Sequence, residues 1–514
     1  MNAILISQSG SLRMFHDLAL SLKSDVDLSK IGMIVSHRRE FKKYKTHHPM
    51  NKLNEFTLLP EWEITNDHEK IKVDFQLLAK YEKTLGVTSF QKALLADRRI
   101  TQGAKCTYFQ DYQARYTYYE QLQILQNTLI QVELLFDQIK PDFVISFICV
   151  TLTEYIANLF AKARGIKILN IRPTRIQNYM AFGNDIIEPS NLIHNKYQEM
   201  TDTDDPIPFL DQAEEIYTET QKSNYNYEGT SLRQSSSLFS RLRRIMLKVL
   251  HSVKLFKLIT TSLQIQYGHL RDNHDPGIFR PFYYETIHKP LLRFQLHLIY
   301  RRKYVRIEDL KLYDYVFFPL HTEPEKALLI DAPFYTNQIE VIRNISYSLP
   351  TGTKLIVKDH PKSYGKRPIT YYQKILDIPN VHLVDPFLPT AELVKQSSLV
   401  ITISGSVGWE SILRETPVIT LGNTPYEFLP DTLVTKVSYW EDLPELIQKM
   451  ISNYRSDKKA VLKYISACIS ESVPLNYYSI LLSRSNINNR FPDQSNWKSE
   501  ITKLHEYTKR CLAN

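Results

Sequence analysis

The stretch LVITISGSVGWESILRETPVITLGN, residues 399–423, decides the fold. LVITISGS is a short apolar run that ends in two hydroxyls around Gly405, which reads as a buried strand running into a turn. VGWESILRET spaces its apolar residues as a helix does, and Pro417 stops it before PVITLGN returns as a strand. Strand, tight turn, helix and strand in so few residues is the βαβ unit of a parallel sheet.

Working outward, the same alternation continues upstream. DYVFFPL (314–320), TKLIVKDHP (353–361) and NVHLVDP (380–386) read as strands. NQIEVIRNISYSL (337–349), PITYYQKIL (368–376) and TAELVKQS (390–397) read as the helices between them. Residues 311–435 therefore form a doubly wound α/β domain. Residues 1–190 repeat the pattern more loosely. AILIS (3–7), IGMIVSH (31–37), DFVISFICV (142–150) and IKILNI (166–171) are strands, and TEYIANLFAKARG (153–165) is a helix closed by Gly165. Helical periodicity runs through 88–140, up to the break at Lys140 and Pro141. Residues 191–232 are polar and read as a loop or linker, residues 233–310 carry a basic helical segment, and 436–514 form a mostly helical tail able to cross back to the first domain.

Composition agrees with two or three domains, since 514 residues at about 150 per domain exceed one core. An apolar share of 43% with 23% charged residues describes a globular protein and excludes a disordered or fibrous one. Cys106, Cys149, Cys468 and Cys511 are far apart and form no metal or disulfide pattern, which suits a reducing compartment. The N-terminus has no basic region followed by an apolar run and a cleavage site, so a cytoplasmic location is expected. The net charge of +9 is local. Residues 233–303 hold fourteen Lys/Arg against three Asp/Glu, a net of +11 that leaves −2 for the rest. That segment suits a peripheral contact with the inner face of a membrane, where a lipid-linked acceptor would sit. No nucleic-acid module accompanies the charge, and a solvated helical face is the plain alternative.

Ligands of open parallel sheets bind beyond the C-terminal ends of the strands. The polar groups expected there are His321 and Glu323 after FFPL, Lys358 and His360 after LIV, and Ser404, Gly405 and Ser406 after VITI. Free N–H groups at the helix start beside two Ser hydroxyls can cradle a phosphate. Glu410, one turn into that helix, is placed for the two hydroxyls of a ribose. His360 can hydrogen-bond or protonate a leaving phosphate. A simple Ser cap and charged surface turns are the plain readings of the same residues.

The stretches FPLHTEPEKALL, LIVKDHPKSYGKR, NVHLVDP and VITISGSVGWESILRETPVITLGN resemble the capsule polysaccharide biosynthesis family, which includes retaining β-Kdo transferases and is distantly similar to bacterial sialyltransferases. The resemblance implies a GT-B fold, two Rossmann-like domains facing a central cleft, and a CMP-activated ulosonic acid donor (Kdo or a nonulosonic acid such as pseudaminic acid) transferred to a surface polysaccharide. By it, Lys358, His360, Ser404 and Ser406 would contact the CMP phosphate and Glu410 the ribose. β-Kdo transferases carry an acid in a Glu-Asp-Gly-Phe type stretch of the first domain. Here the corresponding stretch is NIRPTRIQNYMAFGND, with Arg172 and Arg175 and no early acid. Asp97, beside Arg98 and Arg99, and Glu154, just past a buried strand, are the remaining catalytic candidates. Each has a structural alternative, a salt bridge for Asp97 and a favourable helix start for Glu154. Arg172 and Arg175 suit the donor's carboxylate or an anionic acceptor. No metal is expected: the DxD-like run, Asp202 to Asp204, follows no strand. A transferase using a UDP or GDP sugar, and a non-catalytic capsule export or assembly protein, are the competing functions.

Overall fold

In the computed structural model, residues 1–8, 10–47, 53–101, 116–203, 205–222, 227, 288–300, 303–323, 325–483 and 496–513 are described. Most of the basic segment, and Cys106 and Asp204, lie outside them.

Two sheets organise the chain. The first has the order β3-β2-β1-β4-β5-β6-β13, built from β1 (Asn2–Ser7), β2 (Lys30–Val35), β3 (Thr57–Pro60), β4 (Phe143–Ser146), β5 (Lys167–Pro173), β6 (Tyr179–Gly183) and β13 (Val473–Pro474). The second has the order β9-β8-β7-β10-β11-β12, from β7 (Tyr315–Pro319), β8 (Lys354–Lys358), β9 (Val381–Val384), β10 (Leu399–Thr402), β11 (Val418–Thr420) and β12 (Val434–Lys436). Every pairing in the second sheet is parallel. In the first, β6 runs antiparallel to both β5 and β13. Both sheets follow the doubly wound order, in which the chain switches direction between the first and fourth strands. The switch points lie at β1/β4 and β7/β10. This is the GT-B arrangement of two Rossmann-like domains.

Helices on both faces bury these strands, as parallel sheets require. The strand runs AILI and VFF are wholly apolar because neither face meets water. In the first domain, helices Tyr118–Ile139 and Leu152–Ala163 pack one face, and Leu12–Asp25 with Trp497–Ala513 pack the other. Tyr118–Ile139 begins with a reciprocal Thr117/Glu120 capping box. The chain's last helix is tied to the first domain by Trp497 Nε1 donating to Asp17 Oδ2 at 2.9 Å and by Tyr507 stacked on Phe182 at 5.0 Å.

The polar stretch 191–232 was expected as a loop, and the structure corrects this. Helices Asn191–Asp202 and Leu210–Lys222 occupy much of it. Ile193, Tyr197, Met200, Ala213, Ile216 and Tyr217 recur at helical spacing and are buried. They join Trp409, Tyr426 and Tyr464 in a cluster that also takes in Ile176 and Tyr179 of the first domain. Its sparse apolar stripe was hidden among Asp, Thr and Asn. This cluster fastens the two domains on one side of the switch points.

Candidate functional site

At the second switch point, the chain leaves β7 at His321 and β10 at Ser404. The His321 ring sits beneath the β10 turn. Its Nε2 accepts the Ser404 N–H at 3.3 Å, so the ring is neutral with the proton on Nδ1. Burial, then the nearby charge of Arg175, lowers its pKa to about 3. Gly405 leaves space for that ring, since a Cβ there would lie 3.2 Å from Nε2. Gly408 similarly admits the Tyr426 hydroxyl, which donates to the Gly405 carbonyl at 2.9 Å. The turn is thereby held open over the start of helix Ser406–Leu413, which no side chain caps. An uncapped helix start exposes N–H groups and the positive end of the helix dipole.

Beneath the turn lies a buried ionic group. The Arg367 guanidinium bonds Asp359, the His321 carbonyl and Glu323, the last at 3.3 Å. Tyr372 donates its hydroxyl to the other Asp359 oxygen at 2.5 Å. Burial raises the Glu323 carboxyl despite Arg367. Removing one partner from such a group strands a charge in the interior, so these residues fix the two strand ends in place.

His360 stands on the crevice side. Solvent reaches it, yet protein atoms crowd it on most sides. Desolvation and then Lys362 lower its pKa to about 4, leaving it neutral at physiological pH. Its Nδ1 accepts the Lys362 N–H at 3.1 Å, so the outward Nε2 carries the proton and is a donor. Lys358 is buried, with Nζ donating to Thr390 Oγ1 at 2.9 Å, and its charge reaches both His360 and Glu410. Glu410 pairs with Arg414 at 3.4 Å, and burial pushes its carboxyl up.

The first domain contributes Arg175, from the turn between β5 and β6, held at a left-handed φ of 67°. Its Nη2 donates to the Ser404 carbonyl at 3.1 Å, bridging the domains at the turn after β10. Tyr227 joins here too: its hydroxyl bonds Ser406, and it senses the charges of Arg175 and Glu325.

Several sequence expectations are corrected by this geometry. Ser404 is fully buried and its hydroxyl donates to the Ala327 carbonyl at 2.8 Å, so it latches the turn instead of facing the crevice. His321 and Glu323 are committed to the turn and to Arg367 as described, so they position the site. Arg172 spends its guanidinium on the carbonyls of Asp185 and Glu188 and shapes the loop after β6. Asp97 is locked: Arg99 bonds both its oxygens, at 2.9 and 2.6 Å, and the Leu152 N–H bonds one at 3.2 Å. The same Arg99 holds Glu61 at 2.8 Å.

Glu154 lies at the first switch point, where Gln8 after β1 and the Val150 N–H after β4 hold one oxygen. It is fully buried, and desolvation raises its carboxyl well above the usual range. Lys326 of the second domain covers this side and lowers that pKa in part. Glu154 is therefore a sealed group whose burial favours the protonated form. Tyr227, Glu325, Lys362 and Lys366 were missed from sequence. The first lies far away in the chain, and the others lacked a strand end to mark them.

Residues 259–432 match the family model described as capsule polysaccharide biosynthesis protein. The match covers about a third of the chain and takes in β7 to β11 and every motif that carried the resemblance. No curated protein matches the chain. Among solved structures, KpsC, beta Kdo 2,7 transferase, of Thermosulfurimonas dismutans is 11% identical, with 74% of this chain and 90% of that chain covered and a TM-score of 0.37. The beta Kdo 2,4 transferase of KpsC from the same organism is 11% identical over 63% and 78%, with a TM-score of 0.34. The UDP-GlcNAc 2-epimerase of Methanocaldococcus jannaschii is 11% identical over 91% and 99%, with a TM-score of 0.27. Likeness at this level fixes no residue's role.

Proposed function

We propose that this chain, which matches the capsule polysaccharide biosynthesis family over residues 259–432, is a glycosyltransferase that moves an ulosonic acid (Kdo or a nonulosonic acid such as pseudaminic acid) from a CMP donor to a hydroxyl of a surface glycan. One observation carries the reading. An uncapped helix start, the outward Nε2–H of His360 and the Arg175 guanidinium converge at the second switch point. Donors so arranged suit a phosphate that gains charge as its bond to the sugar breaks. Lys362 and Lys366 add cations beyond those one phosphate needs. A donor that carries a second anionic group on its sugar fits that surplus, as an ulosonic acid does. Glu410, one turn into the helix, is assigned to the ribose.

The chemistry follows from charge. The acceptor oxygen attacks the anomeric carbon, and the bonding pair departs with the CMP phosphate. His360 Nε2–H and Arg175 meet the charge left on that phosphate. Together the neutral His360 donor and the Arg175 cation take the part a divalent ion plays in metal-dependent transferases, so chelation with EDTA should leave turnover intact. Helix Lys289–Tyr300 supports a peripheral contact with the inner face of the cytoplasmic membrane: it buries Leu292 and Leu296 while exposing Leu291, Phe294 and Leu298. No described helix is long and apolar enough to cross a membrane. Co-sedimentation with anionic vesicles tests the contact.

The deciding experiment incubates the protein with CMP-Kdo and CMP-nonulosonates and follows release of CMP, beside a thermal-shift panel of nucleotides. Stabilisation by CMP with CMP release supports the reading. Stabilisation by UDP or GDP alone moves the donor to another sugar nucleotide, and no response to any nucleotide leaves a non-catalytic assembly role.

A further inference from the structure

The carboxylates around the two switch points are nearly all spoken for. Glu323 and Asp359 are tied to Arg367, Asp331 to Lys326 at 2.5 Å, Glu410 to Arg414, and Glu61 and Asp97 to Arg99. Glu154 is sealed and held by Gln8 and Val150. Glu325 differs from all of them. It is exposed to solvent, and no described residue hydrogen-bonds its carboxylate or pairs with it at contact distance.

Its position is nonetheless fixed. Glu325 precedes helix Lys326–Leu329, and its carbonyl accepts the N–H groups of Leu328 and Leu329, each at 3.0 Å. Leu329 and Ile330 are buried in a core of the first domain, and the Ala327 carbonyl takes the Ser404 hydroxyl. The residue is thus pinned between the domains, beside the turn that receives the phosphate. Around its carboxylate stand Lys362, Arg175, Asp331 and Lys366, with Tyr227 near. Solvent reaches the group while these charged side chains of both domains stand around it.

Whatever the stereochemical course, an acceptor hydroxyl must lose its proton as its oxygen bonds to the anomeric carbon. The group that takes it must be reachable by the acceptor, ionisable near working pH, and close to the leaving phosphate. We infer that Glu325 is that catalytic residue, accepting the proton of the attacking hydroxyl; this rests on the donor site proposed above. As the new carbon–oxygen bond forms, the bond to the CMP phosphate breaks and its electron pair stays on phosphate. The proton passes to a Glu325 oxygen and leaves to the solvent that reaches it. Desolvation raises the carboxyl and the nearby Lys362 and Arg175 lower it, the opposing pulls expected of a base that must give its proton up again.

The test compares wild type with Glu325→Gln, measuring CMP stabilisation and initial rates of CMP-ulosonate turnover across pH. CMP stabilisation should match wild type, donor KM should change little, and kcat should fall by about 10² to 10⁴-fold. The acid limb of the wild-type pH profile should vanish with it. Glu325→Ala should regain part of its rate with added formate, a small carboxylate. Turnover within fivefold of wild type, or loss of CMP binding in Glu325→Gln, would overturn the inference. If wild type itself neither binds CMP nor releases it from any CMP-ulosonate, the donor reading fails first and takes this inference with it.

Discussion

The two switch points share a plan and differ in sign. Each rests on an arginine, half-buried Arg99 in the first domain and buried Arg367 in the second, that holds two carboxylates and a backbone carbonyl just past a strand. Arg99 binds Asp97, Glu61 and the Ser36 carbonyl, and Arg367 binds Asp359, Glu323 and the His321 carbonyl. In the first domain the excess group beside this unit is a carboxyl, Glu154, sealed and with its pKa raised by burial. In the second it is cationic: Lys362 and Arg175 stand with the neutral His360 donor near an uncapped helix start. The same strand order therefore builds one strand end plugged by a carboxyl and one edged by cations. Side chains at strand ends, not topology, decide which.

The strongest way to break the comparison is to remove the carboxylate under each arginine. Asp359→Ala should destabilise the chain by about 3–5 kcal/mol, because a buried guanidinium loses its closest partner, and Asp97→Ala should cost less, because half-buried Arg99 keeps Glu61. Urea unfolding measures both, and a silent variant would show that its arginine does not need pairing. Next is the contrast between the two arginines of the first domain. Arg175→Ala should weaken CMP binding about tenfold to a hundredfold, the scale of hydrogen bonds to charged groups. Arg172→Ala should leave CMP affinity unchanged while lowering thermal stability.

The sign difference also has a pH signature. His321 has a folded pKa near 3 against an ordinary value of 6.5, so below 6.5 the unfolded chain binds the extra proton. Its contribution is complete above pH 6.5 and fades as pH falls toward 3, by up to about 1.4 kcal/mol per pH unit. His321→Gln, whose side-chain oxygen can still accept the Ser404 N–H, should flatten that decline in melting temperature. Glu154 runs the other way. Its raised pKa means the native state holds a proton that the unfolded chain releases, so stability falls as pH climbs past the ordinary glutamate value. Glu154→Gln should leave melting near pH 4 alone, raise it slightly near pH 8, and keep turnover close to wild type. A large loss of turnover would return Glu154 to the catalytic candidates.

Much of the second domain was legible because its strands are buried on both faces and read as unbroken apolar runs, each ended by a polar turn. SGSVG announced its turn through two glycines in a glycine-poor chain. The antiparallel β6 and β13 were not legible: YMAFG looked like the end of a loop, and β13 has two residues. Among site residues, sequence located the strand ends but not the direction of side chains. Lys358 and His360, two apart, were expected on one face, yet Lys358 turns inward to Thr390 and His360 outward. Ser404 and His321 were read as ligand groups, while backbone geometry spends both on holding the turn. Glu325 sits off any strand end, and only the docking of Leu329 and Ile330 into the other domain brings it to the crevice.

A structure of the protein with CMP bound would decide the matter most directly. The phosphate should lie at the start of helix Ser406–Leu413, within hydrogen-bond distance of His360 Nε2 and the Arg175 guanidinium, with Glu410 beside the ribose. A nucleotide seated at the β1/β4 switch point, or no nucleotide between the domains at saturating CMP, would contradict it.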